Sequence, residues 1–480
     1  MKKTGLKLLA LLLALLLPMS AFAGAVEEFR KQNTDAGKVL QYDLTLETNP
    51  MLSALFGATE EDPIGDVAKL LRFTTQVKDA NNGKFLFSMD GETILSVIAQ
   101  KAASGELFVT IPELGELNFK LPAEMVKELT LKQEMQKNMK LDLNSLMNPP
   151  SSGDEKLDAA IKAILAKSTL EEVTEENPKF DKAAKVFTMP LENSDMLAVL
   201  ESDLVAKQMK TVANGEKVLE TAKKLYGSDA MKLNVNAKFY VLEDDSIVAL
   251  EMPVTVNAEK DKYNALMKEI RSENSTEMEN DLAEDLNVNG YVNYYKKTDA
   301  VETHSFELAL KKEDQGIEGS GQFIVDKDNY KLDAKISVLD GSKDNGITVS
   351  GHNTWEGNKA NGELNINVKS YENKFGLQVA TTQELTADAL KGSATIKAGP
   401  EGQAMEFGTF HLSESYVDGY EAKDYSGSEA YDLSALNDEA LQKIQEQVQA
   451  SLQNVLFNLM SKMPASVQKV FMQGQGSESK

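Results

Sequence analysis

The 480-residue chain has no cysteine, a single Trp and three His. Without thiols there is no disulfide framework, no thiolate nucleophile and no Cys-based zinc site. No lipid can be attached to an N-terminal Cys. The three imidazoles, His304, His352 and His411, are scattered, so no His pair sits at metal-ligand spacing. His352 falls on the polar phase of its run. His304 shares phase with Phe306, Leu308 and Leu310, which suits a half-buried structural role. Positive charge is also scarce. The net charge is −24, and Lys2, Lys3 and Lys7 leave with the leader described below, making it more negative by three. Such a surface repels nucleic acid and anionic headgroups, so no nucleic-acid partner is expected.

The sequence carries no G-x-S-x-G, G-x-G-x-x-G, H-E-x-x-H or Walker pattern. One S-x-x-K, from Ser466 to Lys469, lies near the C-terminus and reads as chance. Asp340 to Gly346 alternates oxygen-bearing residues as a calcium loop does. It has Asn345 and Gly351 where the EF-hand needs Gly and Glu. It reads as a hairpin turn, as does Asp326 to Asn329. Glu60-Glu61-Asp62, Glu171-Glu172 and Asp244-Asp245 read as solvated loops; nothing in the letters brings two carboxyls to the roughly 5–9 Å that glycoside hydrolysis requires. No catalytic residue, metal ligand or cofactor is assigned, and no ligand-binding residue can be named from the pattern.

What is present begins at the N-terminus. Lys2, Lys3 and Lys7 precede an unbroken Leu/Ala run from Leu8 to Leu17, and Ala21-Phe22-Ala23 is a small-x-small cleavage site. Residues 1–23 are therefore expected to be a secretory signal peptide, leaving no transmembrane segment after its removal. The protein is expected to be exported, to the extracellular space or the cell envelope and periplasm. With 42% hydrophobic residues the chain can bury a core without disulfides.

Residues 24–230 read as strands followed by helices. Val39 to Thr48 alternates with Leu40, Tyr42, Leu44 and Leu46 on one face, and four strand-like runs follow between Leu70 and Leu121. Helices are expected over Met125–Met147, over Asp154–Lys167 and after Ser194, interrupted at Asn214-Gly215. Residues 231–433 read as an antiparallel β-rich region with a charged insertion at 258–286. Leu332, Ala334, Ile336 and Val338 alternate with polar residues, as do Leu364, Ile366 and Val368, and Asn289-Gly290, Asn345-Gly346, Asn361-Gly362 and Asp418-Gly419 read as turns between strands. Residues 434–472 read as an amphipathic helix whose stripe runs through Leu441, Ile444, Val448, Leu452, Val455, Leu459 and Met463. Residues 473–480 are expected to be a disordered tail. The fold class is α+β, with a large curved antiparallel sheet, packed amphipathic helices and a long C-terminal helix.

Gly83 to Phe87, Asp90-Gly91-Glu92-Thr93 and Glu106 to Pro112, with the hairpin from Phe239 to Val248, resemble exported LolA/LppX-like proteins of bacteria. That resemblance implies successive hairpins in a strongly curved sheet whose concave face, closed by helices, can hold acyl chains. Leu44, Leu46, Phe85, Phe87, Val235 and Phe239 would then share the lined side. The Met residues on the helical segments would suit an adaptable apolar groove or simple gap-filling. The leading reading is a secreted or cell-envelope non-enzymatic protein, binding an apolar, lipid-like ligand or serving as a surface scaffold to a cell-envelope protein. The alternatives are an extracellular carboxylate-based hydrolase and, after it, an outer-membrane β-barrel.

Overall fold

The computed structural model describes residues 24–50, 63–79, 82–127, 142–210, 214–274, 282–313, 315–340, 343–370, 373–465 and 467–468. The leader, most of the Met125–Met147 segment, Glu60-Glu61-Asp62, Ser466 and the tail lie outside them.

Twenty strands form one sheet. In chain order they are β1 (Val39–Thr48), β2 (Leu71–Asp79), β3 (Asn82–Met89), β4 (Glu92–Lys101), β5 (Leu107–Ile111), β6 (Leu117–Leu121), β7 (Thr169–Glu172), β8 (Lys185–Glu192), β9 (Met231–Val241), β10 (Ile247–Ala258), β11 (Leu286–Thr298), β12 (Glu302–Lys312), β13 (Gln315–Asp326), β14 (Asn329–Asp340), β15 (Lys343–Glu356), β16 (Lys359–Ser370), β17 (Asn373–Leu385), β18 (Ala389–Pro400), β19 (Met405–Val417) and the short β20 (Tyr431–Asp432). From β7 to β19 each strand pairs antiparallel with the next. β19 then pairs with β1, and the sheet continues through β2 to β6, with β20 parallel to β6. Among the described residues β6 and β7 do not pair, so the sheet is open there.

The seam between β19 and β1 shows why the two ends of the chain meet. Leu44 opposes Leu412 and Leu46 opposes Phe410 on one face, while Asp43 opposes Ser413 on the other. A slip by one residue would put every apolar side chain on the polar face. Gly408 also fixes the seam: a Cβ there would lie 2.3 Å from the Glu47 carbonyl oxygen and 3.1 Å from the Thr48 Cα. Backbone cannot yield as a side chain does. Gly408→Ala is expected to cost about 1–3 kcal/mol in a urea melt.

The helices are α1 (Gly24–Asp35), α2 (Pro63–Leu70), α3 (Leu143–Met147), α4 (Glu155–Ala166), α5 (Asn193–Leu200), α6 (Asp203–Met209), α7 (Gly215–Gly227), α8 (Lys260–Asn274) and α9 (Asp438–Lys462). Asp154 caps α4 by accepting from the Lys156 and Leu157 amides. Ser194 does not cap this helix: Glu192, two residues earlier, is the N-cap and forms a capping box with Asp195, and Ser202 caps a separate α6. The charged insertion is helical over α8.

Three of the four expected Asn-Gly turns lie within strands. Gly290, Gly346 and Gly362 sit inside β11, β15 and β16, where a Cβ would fall 2.1 Å from the Ala309 oxygen, 2.4 Å from the Ile336 oxygen and 2.6 Å from Thr381 Oγ1. Glycine serves close cross-strand approach there rather than a turn. Asp90-Gly91 is a true hairpin turn, with φ of 52° and 76° at its two residues.

The expected packing of the C-terminal helix needs correction. No residue of α9 is buried, and Leu441, Leu452, Leu456 and Phe457 are exposed. The half-buried line runs through Ile444, Gln447, Val448, Ser451, Val455 and Leu459, so Leu441 and Leu452 of the expected stripe face outward. Gln447 explains the rotation: its side-chain amide donates to the Gly115 carbonyl at 2.7 Å, anchoring the helix beside β4–β6 through a polar contact.

Candidate functional site

Alternation along each strand and in-phase pairing combine into one continuous apolar face. Phe187, Phe239, Leu250, Tyr294 and Phe306 follow one another across β8 to β12. Val349, Ile366, Leu377 and Ala398 continue across β15 to β18. Leu44, Leu46, Phe85, Phe87, Val235 and Phe239 all lie on this face. On β15 it runs from Ile347 to Trp355, eight residues or about 26 Å of strand.

Helices cover this face at two places. Over β8–β10, Leu143 and Leu146 of α3 and Leu165 of α4 close on Phe187, Ala237, Phe239 and Met252. Over β15–β19, Val26 of α1 packs with Trp355, Leu385 and Leu390, and Phe29 meets the Tyr416 ring edge-on at 5.5 Å. There the face carries one ion pair. Arg30 donates from Nε and Nη2 to the two oxygens of Glu414 at 2.8 and 2.6 Å, and the Glu414 side chain is 3% exposed. The bidentate pairing raises the Arg30 pKa. Tyr42, directly opposite Glu414, is pushed up to about 12 by burial and by that carboxylate.

Beyond a packed cluster of Val379, Ala394 and Ile396, the end of the face on β14–β17 opposite α1 is bare. Ile336, Ile347, Val368 and Phe375 stand directly opposite one another on β14, β15, β16 and β17. With Ile317 and Val338 beside them they are 39–50% exposed. Isolated exposed apolar residues are ordinary, but a register-matched row across adjacent strands is a contiguous patch of the kind that marks an interaction site.

The opposite face is polar over β11–β17 and carries a groove of about 790 Å³ lined by Tyr295, Ser305, Gln322, Thr348 and Ser350 among others. Its carboxylates are tied up: Glu307 pairs with Lys179 at 3.1 Å, Asp299 with Lys297 at 3.2 Å and Asp333 with Lys331 at 2.9 Å. Lys179 also lies 4.8 Å over the Tyr295 ring.

The three imidazoles fall apart as the spacing implied. His304 is bridged between the Tyr294 hydroxyl and Glu302, each at 2.7 Å; His352 is exposed on the polar face; His411 lies 3.6 Å from Glu47. Among the described residues no group of three or more His, Asp or Glu could hold a metal. Asp244 accepts from the Ser246 amide in a hairpin turn, and Glu171 and Glu172 are exposed on β7. Of the methionines weighed as a groove lining, Met125 and Met147 are exposed on helical segments, whereas the bare stretch is built from Ile, Val and Phe. Sequence reasoning named no binding residue. The signal for this patch was the apolar phase of β13–β17; what was missing was that no helix among the described residues covers it.

Alkaline stability should register the α1 end of the face. Folded Tyr42 holds its proton up to about 12 and an unfolded Tyr to about 10, so stability is full below pH 10 and falls as pH rises through about 12. Tyr42→Phe is expected to lessen that loss, seen by following phenolate absorbance and circular dichroism together.

No family model matches the chain, and no curated protein matches it. Solved structures that match include a porin (8% identity, covering 79% of this chain and 99% of that one, TM-score 0.17), the CymD monoaromatic hydrocarbon channel (7%, 79% and 87%, 0.16) and Pseudomonas aeruginosa OpdQ (8%, 79% and 95%, 0.17). Scores this low carry no argument about this chain's fold or activity. The LolA/LppX-like expectation is nevertheless withdrawn. The early hairpins continue the far edge of a 20-strand sheet through the β19–β1 seam instead of forming a sheet of their own.

Proposed function

We propose that this protein is an exported, non-enzymatic protein of the cell envelope whose apolar sheet face binds lipid hydrocarbon. The observation that carries this reading is the row Ile336–Ile347–Val368–Phe375, left exposed on a face that helices cover elsewhere. Burial of apolar surface is the driving force available to such a row, at about 25 cal/mol per Å². The non-enzymatic part is supported by the carboxyls. Those whose pKa departs from the ordinary value, among them Asp43, Glu302 and Glu363, all move down. Burial pushes Asp43 up, but hydrogen bonds from Arg72, Thr74 and Gln41 more than offset it. A carboxyl acting as general acid needs the opposite shift. Native mass spectrometry of protein from its own host tests the reading. Retained acyl-chain ligands are expected; a clean apo mass that stays unchanged on adding fatty acids and phospholipids would refute it.

The outer-membrane β-barrel reading is favoured by one observation, an apolar band about 26 Å tall on antiparallel strands whose first and late members pair. Against it, the same face holds α1 and the Arg30–Glu414 pair. Turned outward, that face would put a helix and two charges into hydrocarbon, at a cost of several kcal/mol. No helix among the described residues is long and apolar enough to cross a membrane, which leaves strands untouched by that test. Liposome flotation separates the two: soluble protein carrying lipid is expected, not protein that floats only with bilayers.

A further inference from the structure

The apolar face carries a second anomaly, close to the bare stretch. Asn353 is 1% exposed and Thr381 is 4% exposed, and neither side chain has a hydrogen-bond partner. Gln383 Oε1, two residues further along β17, is also buried and unpaired. Asn353 and Thr381 flank Gly362, which opposes both of them in the sheet. A Cβ on Gly362 would lie 2.6 Å from Thr381 Oγ1 and 2.9 Å from Asn353 Oδ1, so both oxygens converge over the glycine. Buried polar groups without partners are rare, and each costs about 1–3 kcal/mol. The set offers three oxygens that can accept, one of them the Thr381 hydroxyl that can also donate, and one amide nitrogen that only donates. Among the described residues, the cation that lies on this end of the face, Arg30, is committed to Glu414.

We infer that Asn353, Thr381 and Gln383 receive the neutral polyol head of an acyl lipid whose chain runs along β17 to the bare row. Hydroxyl groups supply the donors that the three oxygens want, and a glycerol head can in turn accept from Asn353 Nδ2. An anionic head would find no unpaired cation there. From Thr381 the same face continues through the buried Val379 and half-buried Leu377 to Phe375, six steps of the strand or about 20 Å, comparable to an extended long acyl chain. Phe375 is 50% exposed and marks the mouth. The inference rests on the lipid-binding reading above and deepens it.

The test compares two neutral probes with one acyl chain, 1-monopalmitoylglycerol and methyl palmitate, by displacement of Nile red from the mature protein. Wild type should bind the glyceride about tenfold more tightly, the equivalent of one to two net hydrogen bonds. Gly362→Ala fills the convergence point, and Asn353→Leu removes a partner. In both, the ratio should fall to about one with methyl palmitate affinity unchanged. Thr381→Val should raise Tm, because it removes an unpaired hydroxyl, and should also lower the ratio, so a misfolded variant cannot mimic the result. Equal affinities on wild type, or a preference that survives all three changes, overturns the head-group site alone. Failure of both probes to bind overturns the lipid-binding reading with it.

Discussion

Replacing Arg30 with Met should destabilise the protein by about 3–5 kcal/mol. Glu414 is nearly sealed on the apolar face, and its two carboxylate oxygens are both engaged by the guanidinium. Removing the cation leaves a buried charge without compensation, which is the costly case. Removing both members together is different: Arg30→Met with Glu414→Leu should recover most of the loss, since well-packed apolar replacements of buried ion pairs are often neutral. A urea melt of the two singles and the double gives the coupling directly. Singles that cost less than about 1 kcal/mol would mean that α1 does not hold this end of the face. Helix α1 covers the end of β15 and β17 opposite the bare row.

The second large effect concerns that stretch. Ile347 and Val368 oppose each other directly and are 46% and 39% exposed. Ile347→Lys with Val368→Glu places opposite charges across the pair, which a sheet accommodates well, so Tm should barely move. Hydrocarbon affinity should fall about a hundredfold, because two apolar contacts worth roughly 1.5 kcal/mol each give way to charges that resist desolvation. Unchanged Nile red binding by the folded double variant would move the site elsewhere on the molecule.

Much of this architecture was legible from periodicity. β1 covers the residues Val39–Thr48 whose alternation announced it, and the apolar phases of Leu44, Phe87, Val235 and Phe239 converge on one face. Periodicity fixes which way a side chain points, and antiparallel register then carries that choice from strand to strand. It carries no information on partners distant in sequence. The pairing of β19 with β1 depends on a match of faces across nearly the whole chain, which no local pattern reports. The Asn-Gly pairs misled for a related reason. Locally Asn361-Gly362 has hairpin chemistry, but Gly362 is needed so that Asn353 and Thr381 can approach across three strands. The α9 stripe misled because a single polar anchor, Gln447, rotates a helix whose apolar positions leave two faces open to choice. The candidate site was hidden in the same way: alternation marks Ile336 and Val368 as apolar-face residues, and only the placement of α1, α3 and α4 shows which part of that face stays uncovered.

The most direct measurement is photolabelling of the mature protein with a diazirine-bearing palmitoyl lipid, followed by peptide mapping. The account predicts adducts on β14–β17, at or beside Ile336, Ile347, Val368 and Phe375, competed away by unlabelled lipid and lost in the Ile347→Lys, Val368→Glu variant. Adducts confined to the polar-face groove around Tyr295 and Gln322, or to the exposed side of α9 at Phe457, would contradict it.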